Sequence, residues 1–141
     1  MRRIRTAAFL LCLGATVLAG NRNAVAQGVA GGDQCAKAKT AHDALYAELS
    51  KNPKLREMAR SDAFVALEDG GDGTLWTFTL PAHPAHPSVV CRRIVERRGV
   101  LDIPTTIECK ASEQACAKLK SDFDMLNERV ISDLYAKQKT R

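Results

Sequence analysis

The sequence predicts an α+β protein, an antiparallel four-stranded meander packed on one face by an N-terminal helix (or two) and a long C-terminal helix. Three observations carry this. Apolar residues recur at three- and four-residue steps near both ends of the chain. The middle alternates apolar and polar residues in the manner of strands. The strands also follow one another with no helix between them, which a parallel sheet with crossovers would need.

Residues 1–26 read as an export signal and are set aside first. Met1-Arg2-Arg3-Ile4-Arg5 is basic, Thr6 to Ala19 is apolar and uncharged, and Ala24-Val25-Ala26 is a small-residue cleavage site. The apolar run is shorter than the ~20 residues that span a bilayer, so no transmembrane anchor is expected after cleavage. Asn21 stands where a lipoprotein would carry its cysteine. The expected product is a single domain, 27–141, in the bacterial periplasm or outside the cell. Of 21 basic and 16 acidic residues, the signal holds Arg2, Arg3, Arg5 and Arg22 and no acid. The formal charge of +5 therefore belongs mostly to the discarded part. A nucleic-acid partner, which needs a basic face, is not expected.

The elements follow in order. Asp33 can cap a helix to about Ser50, with Cys35, Ala38, His42 (or Ala41), Leu45 and Leu49 as its apolar stripe. Asn52-Pro53 then suits the start of a short second helix over 53–60, burying Leu55, Met58 and Ala59. Residues 63–67 read as a strand and the glycine-rich segment 68–73 as a turn. Residues 74–80 form the clearest strand, with Trp76, Phe78 and Leu80 on one face. The three prolines of residues 81–87 (PAHPAHP) demand a loop. Residues 88–96 and 100–109 read as a hairpin around Arg97-Arg98-Gly99, a three-residue loop with a bulge. That register pairs Val95 with Leu101 and Cys91 with Thr105, and leaves Arg93 facing Ile103 and in need of a partner. Pro104 suggests an edge or a bulge in the last strand. Ser112 caps the last helix, whose stripe of Cys116, Leu119, Phe123, Leu126, Val130 and Leu134 runs to about Ala136. At about 36 Å it should overhang the sheet.

The mature domain keeps Cys35, Cys91, Cys109 and Cys116. An even count in an oxidising compartment reads as two disulfides, with three possible connectivities. In the predicted register Cys91 and Cys109 share a face but lie roughly 13 Å apart, beyond bridging reach. The preferred pairing is Cys35–Cys91 with Cys109–Cys116.

Candidate binding residues are few. His83 and His86 flank proline in the 81–87 loop; in polyproline geometry they share one side with Cα atoms about 9 Å apart. Zinc or copper would need a third ligand, from His42 or a carboxylate. Arg92, Arg93, Arg97 and Arg98 make a basic hairpin that could meet an anion or acidic partner, or be solvated. Glu68, Asp69 and Asp72 lack the alternation of a calcium loop. No metal site is assigned, no cofactor is expected, and no nucleophile–base set can be named.

The run Leu75-Trp76-Thr77-Phe78-Thr79, followed by His83-Pro84-Ala85-His86-Pro87 and Val89-Val90, resembles a segment of small secreted bacterial proteins of uncharacterised function. No activity comes with that resemblance. The helix-helix-strand order is also similar to modules of periplasmic assembly and inhibitor proteins, an analogy of fold alone. The expectation is a disulfide-stabilised periplasmic or secreted protein that acts by binding a protein or small ligand and is not an enzyme. A metal-binding protein using His83 and His86, or an unrecognised hydrolase-like enzyme, are the alternatives.

Overall fold

A computed structural model describes residues 34–139. The expected export signal and the capping residue Asp33 lie outside the described residues. The fold is α+β, built on a five-stranded antiparallel sheet.

The N-terminal stripe forms as expected but in two pieces, a 3₁₀ segment, Gln34–Lys39, and helix α1, His42–Leu49. Ala38, Leu45 and Leu49 are buried. The predicted second helix over 53–60 is instead strand β1, Leu55–Arg60. Asn52 accepts the Lys54 N–H on its side chain and the Leu55 N–H on its carbonyl, so it makes a turn that sends the chain out extended. Strand β1 then pairs with β2, Phe64–Asp69, with a bulge at Met58. The isolated helix would have been too short to hold itself, whereas an edge strand gains a full ladder. Arg56 fixes the pairing by gripping Glu68 through Nε and Nη2.

The turn after β2 is held by Asp69 accepting the Gly71 N–H and Asp72 accepting the Thr74 N–H. Gly73, at φ 71°, supplies the left-handed residue. Strand β3, Thr74–Thr79, is the most buried of the sheet. The PAHPAHP segment departs from polyproline geometry. His83 N–H donates to Leu80 O and His86 N–H to His83 O, folding the loop into two successive turns that bury Ala85. The His86–Pro87 bond is cis.

The last hairpin is one residue out of the predicted register. Strand β4, Ser88–Arg93, pairs with β7, Thr105–Cys109, as Ser88 with Cys109 and Val90 with Ile107. Beyond them β5, Val95–Arg97, and β6, Val100–Asp102, form a separate two-stranded sheet. The loop has two residues rather than three, with Arg98 at φ 55° and Gly99 at φ 78°. Two positive φ values mark a type I′ turn, whose twist suits a tight hairpin. Pro104 sits between β6 and β7, where the main sheet gives way to the small one.

This slip decides the layering, because a one-residue shift turns every side chain over. Val65, Leu67, Trp76, Phe78, Val89 and Cys91 face the N-terminal helical segments. Val90, Ile107 and Cys109 face helix α2, Glu113–Lys139, through Leu119, Ala115 and Phe123. The helices therefore cover opposite faces, correcting the expectation of one covered face. At 27 residues α2 is about 40 Å long. Its far end meets the small sheet, where Tyr135 Oη accepts the Leu101 N–H.

Two disulfides are present, Cys35–Cys91 and Cys109–Cys116. This is the preferred pairing, although one premise behind it does not hold. Cys91 points to the α1 face and Cys109 to the α2 face. A Cys91–Cys109 bridge is thus prevented by the sheet itself rather than by distance along one side.

Candidate functional site

The α2 face carries the only cluster of candidate residues that combines a cavity with an unmatched polar group among the described residues. Its geometry follows from the ladder. Three rows cross the sheet on this face: Phe64 beside Thr79, then Ala66–Thr77–Val90–Ile107, then Glu68–Leu75–Arg92–Thr105. Successive rows lie two residues apart, so the first and third are about 13 Å apart. Helix α2 packs over the β4 and β7 side of these rows. Toward β2 it leaves a cavity of about 270 Å³. The floor is Ala66 and Thr77, and Leu119, Phe123 and Leu126 form the helical wall. Phe64 and Leu126 are 37% and 36% exposed, so the cavity reaches the surface there.

Arg92 stands at one end and His83 at the other. The Arg92 guanidinium lies over the Phe123 ring, 4.9 Å from its centroid. Its Nη1 donates to Asn127 Oδ1 at 3.0 Å, while Asn127 Nδ2 donates to Thr105 Oγ1 at 2.9 Å. Helix and strand thus aim the group together. Nε is buried and has no acceptor. No carboxylate forms an ion pair with Arg92 among the described residues; Glu68, in the same row, is taken by Arg56. Burial pushes the guanidinium below the ordinary arginine range. Leaving a buried donor unmatched costs about 1–3 kcal/mol, so this is an expensive place for a cation.

His83 Nδ1 accepts the Ala85 N–H at 3.0 Å, which leaves Nε2 as the nitrogen for a partner. His86 goes elsewhere. It stacks edge-on against His42, ring centroids 5.1 Å apart, and both rings bond Thr79 O, His86 through Nδ1 and His42 through Nε2. His42 Nδ1 meets Asp43 Oδ1 at 2.8 Å. His42 thus meets an oxygen at each ring nitrogen. The structure thus joins His86 to His42 and separates it from His83. No group of three or more His, Cys, Asp or Glu side chains converges on a point that could hold a metal among the described residues.

The basic hairpin is divided in the same way. Arg97 and Arg98 are exposed at the tip of the small sheet, whereas Arg92 turns inward beneath α2. Arg93, expected to be the awkward one, lies on the opposite face and beside a smaller cavity with Gln34 and Thr74. A larger depression of about 560 Å³ runs between β7 and α2. Lys120 and Asp124 on its wall are paired with each other, and it holds no buried unmatched donor.

Sequence reading singled out His83 and Arg92 but could not join them. Phe64, Ala66 and Asn127 went unmarked. The one available signal was the Phe123–Asn127 spacing of four, which places both on one side of a helix.

No protein-family model matches the chain, and no curated protein or solved structure matches it either.

Proposed function

We propose that this is a binding protein without catalytic activity, that it works in the bacterial periplasm or outside the cell, and that it takes a small ligand beneath α2. One observation supports the binding half most directly: a cavity open at Phe64 and Leu126 and bordered by a guanidinium with an unmatched buried N–H. Small-ligand sites are concave, mostly apolar and marked by a few polar groups. The two disulfides support the compartment, since such bridges persist where thiols are oxidised. Among the described residues no helix is long and apolar enough to cross a membrane.

Titration with a neutral fluorescent probe, N-phenyl-1-naphthylamine, tests the binding half. One saturable site is expected, and Ala66→Trp should abolish it by filling the floor. No saturable signal, or a signal that survives Ala66→Trp, overturns the reading. For the compartment, mass spectrometry of the exported protein should find Gln27 at its N-terminus. A product that retains residues 9–18 contradicts it.

A further inference from the structure

Two other arginines show how guanidinium groups are used in this protein. Arg56 grips Glu68 through Nε at 3.1 Å and Nη2 at 2.6 Å. Arg60 grips Glu57 through the same two atoms, at 2.9 and 2.7 Å. Each presents its Nε/Nη2 edge to a carboxylate: Arg60 meets the two oxygens of Glu57 in the paired geometry of the planar fork, and both Arg56 nitrogens share Glu68 Oε2. In Arg92 only Nη1 is engaged, by Asn127, and Nε meets no acceptor. Arg92 is therefore the one of the three whose charge meets no carboxylate, and it borders an apolar cavity. Its Nε is closed to solvent, so a ligand would meet the guanidinium at Nη2, which also has no acceptor.

We infer that the cavity beneath α2 binds a small free carboxylate with an unbranched apolar tail, the carboxylate against Arg92 and the tail running along Ala66 and Thr77 toward Phe64. This deepens the binding reading and rests on it. Size sets the tail. The rows from Arg92 to Phe64 span about 13 Å, a length that an extended eight-carbon acid suits. Charge sets the head. Asp122, the carboxylate on the cavity wall, is held by Lys118 at 2.9 Å through both oxygens, so it does not neutralise Arg92. A cationic head would meet Arg92 repulsively, and a neutral alcohol would leave the charge uncompensated.

The test is calorimetric titration of the full mature protein with octanoate, octanol and octylamine. Octanoate should bind at one site, at least tenfold tighter than octanol, with octylamine weakest. Arg92→Met should lower octanoate affinity tenfold or more and leave octanol within about twofold. Should Arg92→Met fail to fold, the three-ligand comparison on the wild type decides alone. Equal affinity for octanoate and octanol, or octanoate affinity unchanged in Arg92→Met, overturns the inference. If the neutral naphthylamine probe still binds in that case, the binding reading stands and only the ligand class is wrong. If neither probe nor octanoate binds, both fall.

Discussion

The two faces of the sheet bury their side chains to different degrees of completeness. On the α1 face Leu45, Val65, Phe78, Val89 and Cys91 are each at most 1% exposed. On the α2 face Ala85, Val90 and Leu119 form a smaller cluster, with Arg92 beside it and a cavity next to it. Each face has its own disulfide. Cys35–Cys91 ties the N-terminal segment to β4, and Cys109–Cys116 ties β7 to the start of α2. The contrast teaches that the larger packed core lies on the α1 side of the ladder, whereas on the α2 side a smaller core leaves room beside a buried cation.

The largest test removes one aromatic ring from each side. Phe78→Ala should cost about 3–5 kcal/mol, the range for a fully buried ring. Phe123→Ala, at the partly open wall, should cost about 1–2 kcal/mol, near the usual value for a point mutant. Urea unfolding measures both, and equal losses would break the contrast.

The bridges come next. Replacing Cys35 and Cys91 together by Ala releases a long loop and should cost about 4 kcal/mol, against about 2.5 kcal/mol for Cys109 and Cys116. Melting curves of the two double variants should keep that order; the reverse order would place the greater constraint on the α2 side.

The same enlargement can be made on both faces. Ala38→Leu crowds a side chain that is 0% exposed and should destabilise by about 1–3 kcal/mol. Ala66→Leu partly fills the cavity and should stabilise by about 0.5–1 kcal/mol. Opposite signs sharpen the comparison, whereas two losses would mean that the α2 face is as tightly packed as the other.

The smallest effect concerns the stranded cation. Arg92→Met replaces an unmatched buried donor by an apolar chain and should raise the stability of the ligand-free protein by up to about 1 kcal/mol. A loss of similar size in thermal unfolding would make Arg92 a structural residue held by Phe123 and Asn127.

Strand β3 and helix α2 were legible because their periods are long and clean: Trp76, Phe78 and Leu80 alternate, and Leu119, Phe123 and Leu126 keep to one side. Strand β1 was not. Leu55, Met58 and Ala59 satisfy a helical spacing, and the bulge at Met58 breaks the alternation that would have revealed a strand. The cavity was illegible for a related reason. Its walls come from β2, β3, β4, the proline loop and α2, and no local pattern records how far a helix reaches across a sheet.

By itself the sequence determined the α+β class, the places of most strands and the two ends where helices form, and it favoured the observed cysteine pairing from a register that the structure does not have. Only the tertiary structure decided which side each residue serves. Alternation with a period of two is the same before and after a one-residue slip, so the pattern could not separate a three-residue loop from the two-residue turn at Arg98 and Gly99. That single residue moves Arg92 beneath α2, sets Cys91 and Cys109 on opposite faces and places the helices on both sides of the sheet. The choice rests on packing across the whole ladder, where burying Val89 and Cys91 against α1 and Val90 and Ile107 against α2 outweighs the strain of a non-glycine residue at positive φ.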